Sequence, residues 1–132
     1  MPDAEPSRLV VVLAVIAAGG AIGAVARYGL AHAMPHQAGT FPWATFATNV
    51  LGCLLMGALL AWLHRARPAR PLLAAFAGTG VLGGFTTFST YAVETRGLLA
   101  DHPVTALLYL FGTLAAALLA VILGSSAVRV AR

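Results

Sequence analysis

Hydroxyls, one amide, aromatic rings and glycine-exposed backbone are the groups in this chain whose spacing suggests chemistry. The stretch Gly78 to Thr90 reads GTGVLGGFTTFST, with four Gly (78, 80, 83, 84), four Thr (79, 86, 87, 90) and Ser89 among 13 residues. Gly and Thr are weak helix formers. The pair Gly83–Gly84 therefore predicts a helix break. In a bilayer such a break survives only where it is buried in protein or lines a polar cavity. Broken helices at mid-membrane present backbone carbonyls and amides to ions. Gly80 and Gly84 also form a small-xxx-small pair, a device for close helix packing. Packing alone gives no reason for Thr86, Thr87, Ser89 and Thr90 to follow together.

Asn49, with Thr45 and Thr48 just before it, stands inside a long apolar run. A side-chain amide carries two donors and one carbonyl acceptor. Within a membrane it must find a helix partner or serve a permeating species. Phe88 and Tyr91 are three residues apart and share a helix face. Ring edges are positive and can meet an anion; the pair equally suits lipid or a neighbouring helix. Tyr109 and Thr113, four apart, offer a short hydroxyl ladder, although Tyr109 also suits an interfacial belt. Arg27 ends an apolar run and either snorkels to the interface or acts electrostatically near a polar mouth.

The remaining ionisable groups exclude most membrane chemistry. The four histidines (32, 36, 64, 102) and four acids (Asp3, Glu5, Glu94, Asp101) fall at span ends or in loops, and there is no lysine. Proton-coupled transport needs an intramembrane carboxylate or His. Ser–His proteolysis needs a buried His, and transition-metal handling needs clustered His, Cys or carboxylates. No enzyme is expected. Cys53 reads as a small packing residue.

The elements that position these groups follow from charge. Of 132 residues, 60% are hydrophobic and 9% charged, against roughly 25% charged in ordinary globular domains. Twelve charges cannot cover a small soluble surface, disorder needs the opposite composition, and one cysteine builds no disulfide scaffold. Net charge +4 then marks span ends rather than a nucleic-acid partner. Charge-free runs cover Leu9–Ala26, Phe41–Leu63, Pro71–Val93 and Pro103–Val128. A helix needs about 20 apolar residues to cross the bilayer. The prediction is an all-α integral membrane fold: one four-helix transmembrane domain over residues 1–132, spans about 9–28, 43–63, 72–93 and 104–126, the third broken at mid-membrane. Residues 1–7 lack a basic stretch, so the first helix is expected to be retained rather than cleaved as a signal. Arg8, Arg65, Arg67, Arg70, Arg129 and Arg132 share one side against Arg27 and Arg96 on the other. That bias predicts both termini in the cytoplasm.

Three segments, GGAIGAVARY (19–28), NVLGCLLMG (49–57) and GTGVLGGFTTFST (78–90), in this order in a four-span chain, resemble the Fluc (CrcB-type) fluoride channels. The resemblance covers three spans directly and finds Tyr109 in the fourth. It implies an antiparallel, dual-topology dimer with two narrow pores, passive fluoride export across the prokaryotic inner membrane, and a structural sodium ion at the dimer interface. It places sodium on the backbone carbonyls of Gly83 and Thr86. Asn49, Phe88, Tyr91, Ser89, Thr90, Tyr109 and Thr113 map to the anion path, and Arg27 to a structural or electrostatic role.

The family usually has Phe where this chain has Tyr91. The added hydroxyl either narrows the path or offers a further donor. The six-to-two arginine bias is also unlike a chain that inserts both ways. The partner is accordingly a second, inverted copy of this chain or a paralogous subunit of opposite bias. Two other functions fit four spans. A small multidrug-type transporter needs a Glu within its first span, and Glu94 is in the wrong place for that. A non-transporting scaffold subunit would tolerate Asn49→Leu.

Overall fold

A computed structural model describes residues 6–66 and 69–131. Asp3, Glu5, Arg67 and Arg132, used in the signal and orientation arguments, lie outside the described residues. The described residues form helices joined by short connections, with no strand among them. Helix α1 spans Pro6–Ala33 and α2 spans Trp43–Arg65. A short α3 (Pro71–Leu73) runs into a π-helical segment, Ala74–Leu82, and then α4 (Gly83–Phe85). After an interruption come α5 (Ser89–Asp101) and α6 (Pro103–Val130). Four stretches are long and apolar enough to cross a membrane, the third being Pro71–Asp101 with the interruption inside it. The molecule is a multi-pass membrane protein.

Its polarity is inverted relative to a soluble domain. Many Leu, Val and Ile side chains of the long helices face outward, while Thr45, Thr48, Thr87, Thr95 and Thr113 are buried beside a few apolar residues such as Leu98 and Ala106. Lipid replaces water outside, so no hydrophobic drive collects apolar groups inside, and small and polar side chains make the interhelical contacts.

Glycines set the helix approaches. A Cβ at Gly80 would meet the Gly19 Cα at 2.9 Å, and one at Gly84 would meet the Gly20 Cα at 3.0 Å. Backbone thus lies on backbone where α1 crosses the π segment and α4. Similarly α2 meets α6 where a Cβ at Gly57 would meet the Val121 Cα at 3.0 Å, and one at Gly124 the Ala58 N at 3.0 Å.

The connections are tight. His102 alone joins α5 to α6. Its N–H donates to the Leu98 carbonyl (2.8 Å) and its carbonyl accepts from Ala106 N–H (3.0 Å). Pro103 opens α6 at the position where a missing N–H does no harm. Between α1 and α2, Gly39 takes φ +81° and lies against the His102 imidazole. Only glycine accepts that conformation without strain and leaves room for the ring. At the opposite end the Arg65 guanidinium donates to the Val128 and Arg129 carbonyls, tying α2 to the end of α6.

Candidate functional site

The break falls at Thr86–Thr87, not at the Gly83–Gly84 pair that predicted it. Gly83 is helical (φ −64°, ψ −38°). The chain turns extended only at Thr86 (φ −73°, ψ 157°). The glycines are used for packing, since Gly84 lies on the backbone of Gly20. The two readings of this segment therefore divide between its halves: glycines dock the helix and hydroxyls manage the interruption.

Asn49 organises the break. Its Oδ1 accepts from the Thr87 N–H at 2.8 Å, and its Nδ2 donates to the Thr87 carbonyl at 2.9 Å. One amide thus satisfies both backbone groups of a residue that has left its helix, as a membrane interior requires. One N–H of the Asn49 amide is left over. Thr87 Oγ1 accepts from Thr90 N–H (3.2 Å), donates to Thr90 Oγ1 (3.1 Å) and lies 3.4 Å from Ser89 Oγ. It caps the start of α5 by accepting from the N–H three residues on, as Ser and Thr do at helix N-termini.

These diversions release two carbonyls. In a continuous helix Thr87 N–H would bond the Gly83 carbonyl and Thr90 N–H the Thr86 carbonyl. Here they bond Asn49 Oδ1 and Thr87 Oγ1 instead. Gly83 is exposed, and a Cβ there would meet only the Gly78 carbonyl, at 3.7 Å.

Two cavities flank the break. The first, about 220 Å³, is lined by Asn49, Cys53, Thr86, Phe88, Tyr91 and Thr113 among others. The second, about 410 Å³, is lined by Arg27, Tyr28, Thr45, Thr48 and Thr90. Thr87 lines both. The Thr113 hydroxyl is buried with no hydrogen-bond partner among the described residues, and so is Arg27 Nε. Each belongs to a residue that lines a cavity, although the atom itself is buried. Arg27 lines the second cavity together with Tyr28, Thr45, Thr48 and Thr90.

The aromatic residues part company. Phe88 is 79% exposed and Tyr91 is 7% exposed, with ring centroids 5.8 Å apart. The Tyr91 hydroxyl donates to the Leu110 carbonyl. It is therefore spent within the fold rather than offered to the first cavity. The ring of Tyr91 packs edge-on to Tyr109 at 5.2 Å. Tyr109 is fully buried behind it, and its hydroxyl donates to Glu94 Oε2 at 2.6 Å. The Tyr109–Thr113 pair thus splits, with Thr113 at the first cavity and Tyr109 turned to a carboxyl group. Ser89 is exposed and lines neither cavity, whereas Thr90 lines the second.

Sequence reasoning missed two residues. Glu94 was expected at a span end. Its side chain turns into the bundle, where Oε1 also accepts from Thr45 Oγ1 at 3.0 Å. Thr87 stood unremarked among four neighbouring hydroxyls, and only the Asn49 contact distinguishes it. Cys53 lines the first cavity one turn from Asn49. No group of three or more His, Cys, Asp or Glu that could hold a metal ion occurs among the described residues.

Comparison with known proteins gives a consistent result. Fluoride-specific ion channel FluC 1 of Streptomyces coelicolor is 51% identical over 119 residues, covering 89% of this chain and 77% of the relative. FluC 2 of Nocardia farcinica is 46% identical over 130 residues, covering 98% and 90%. FluC 2 of Thermobifida fusca is 50% identical over 111 residues, covering 83% and 82%. The family described as CrcB-like protein, Camphor Resistance (CrcB), matches residues 14–125, and this chain belongs to it.

Proposed function

We propose that this chain forms a fluoride-selective channel that lets fluoride leave the cytoplasm passively, and that it is not an enzyme. The relatives carry that name, which favours a channel over a small multidrug-type transporter or a scaffold. The observation that carries the reading is Thr87. It is held by Asn49 and forms the shared wall of two largely apolar cavities that carry a few polar groups.

The chemistry suits a small, strongly hydrated anion. Losing water is expensive unless donors replace it. The free N–H of Asn49, the Thr113 hydroxyl and the Phe88 ring edge are donors without full charge. Conduction needs binding tight enough to admit the ion and weak enough to release it. Arg27 sits in the second cavity, where one cation raises the local anion concentration without lining the narrower space beyond Thr87. Thr45, Thr48 and Thr90 line the same approach.

The active form is proposed to be an antiparallel dimer in the inner membrane, of two copies of this chain or of this chain and a paralogous subunit. Support comes from the exposed Gly83 and Phe88 beside the break, deep in the third span. A sodium ion is proposed between the subunits, on the Gly83 and Thr86 carbonyls of each. These are hard oxygen donors, the class that suits such a cation, and both have lost their helix partners. Bound there, sodium would supply the positive charge that lets carbonyls of two subunits face one another.

Purified chain reconstituted alone into liposomes, loaded with fluoride and followed with a fluoride electrode, tests the reading. Selective efflux supports a homodimeric channel. Absence of both dimer and efflux overturns the homodimer and leaves the paralogous subunit.

A further inference from the structure

At the end of the molecule away from Arg27, α2 and α6 enclose a cavity of about 530 Å³. Its inner part is apolar, formed by Leu60, Ala61 and Val121, and its outer part carries His64, Arg65 and Arg129. Among the described residues, no acid lines it. Ser125 stands between the two parts, its hydroxyl donating to the Ile122 carbonyl.

A helix C-terminus ordinarily repels an anion, because its last carbonyls are unpaired and the dipole is negative there. Arg65 removes that objection by donating to the Val128 and Arg129 carbonyls. The guanidinium has five N–H groups, so donors remain after both contacts. Arg129 and His64 add to the same rim.

We propose that this cavity binds the phosphate headgroup of an anionic phospholipid, with an acyl chain along the apolar slot. The join of an apolar slot to a basic rim at a span end selects an amphiphile over a free anion. Basic pockets between membrane helices are known to take such headgroups. The proposal is independent of what the protein conducts and adds a lipid partner that the channel reading does not contain.

The test uses the intact protein, reconstituted in dioleoylphosphatidylcholine containing one part in four dioleoylphosphatidylglycerol. Lipid kept through a detergent wash is then measured by native mass spectrometry. Phosphatidylglycerol is expected to be enriched over phosphatidylcholine. The enrichment should fall about fivefold in Arg129→Gln and should also fall in His64→Gln. Arg65 is left in place because it caps α6. Arg8→Gln, a basic residue at a different cavity, should keep the enrichment, and Ser125→Leu, which plugs the slot, should lose it. Gel filtration identifies any variant that misfolds, and the remaining variants then decide. Equal retention of the two lipids, or enrichment surviving both Arg129→Gln and His64→Gln, overturns the proposal. So does stabilisation of lipid-free protein by inorganic phosphate alone to the same extent.

Discussion

The Tyr109 hydroxyl donates to Glu94 Oε2 at 2.6 Å inside the helix bundle, and Thr45 holds the other carboxyl oxygen at 3.0 Å. Three spans meet at that carboxyl group: α2 through Thr45, α5 through Glu94 and α6 through Tyr109. Removing one partner leaves a buried polar atom unsatisfied, at about 1–3 kcal/mol. Tyr109→Phe is therefore expected to lower stability by about 1–3 kcal/mol, with Glu94→Ala losing more because two donors are orphaned. Thermal unfolding in detergent checks the order. Equal midpoints for wild type, Tyr109→Phe and Glu94→Ala would show that this carboxyl group does not join the helices.

Phe88 and Asn49 separate conduction from folding. Phe88 is 79% exposed, so Phe88→Ile removes ring edges with little loss of packing within the chain. Fluoride efflux is expected to disappear while the protein stays folded and dimeric. Asn49→Leu is expected to abolish efflux as well. It also leaves the Thr87 N–H and carbonyl unpaired in a membrane interior, a loss of several kcal/mol by ~1–3 per buried group. Its unfolding midpoint should drop where that of Phe88→Ile does not. Full efflux in both variants would remove these residues from the anion path.

Much of this arrangement is legible in the sequence, for a physical reason. Charge is excluded from lipid, so the gaps between arginines locate the four long helices, although the third runs on past Arg96 to Asp101. The break was placed at Gly83–Gly84 because those residues favour helix least. It occurs at Thr86–Thr87 because Asn49, 38 residues away, competes for the Thr87 backbone, while the glycines are needed where α4 meets α1. Propensity is local and that competition is not. Glu94 was hidden for the same reason. Two residues from Arg96 it reads as a span end, and only the convergence of Thr45 and Tyr109 reveals its partners.

Two neighbouring glycines in α1 should respond oppositely to one methyl group. A Cβ at Gly20 meets nothing within 4 Å, whereas one at Gly23 would meet the Phe85 N at 2.7 Å and the Val81 carbonyl carbon at 2.9 Å. Gly20→Ala should be neutral or slightly stabilising. Gly23→Ala forces backbone apart against α4 and is expected to lose about 1–3 kcal/mol, the usual range for overpacking. Detergent unfolding of the pair decides it. Equal effects would mean that α1 does not lie against α4 as described.

Cys53 makes the first cavity chemically addressable. It is the only cysteine in the chain, it lines the cavity beside Asn49 and Thr113, and no disulfide occupies it. Methyl methanethiosulfonate, small and membrane-permeant, transfers a thiomethyl group. The Cys53 thiolate attacks its sulfenyl sulfur, a mixed disulfide forms and methanesulfinate leaves. The added group occupies space in a cavity of only about 220 Å³. If the anion crosses that cavity, modification should remove most of the efflux, a reducing thiol should restore it, and Cys53→Ser should be insensitive. Stoichiometric modification with undiminished efflux would place the anion path elsewhere.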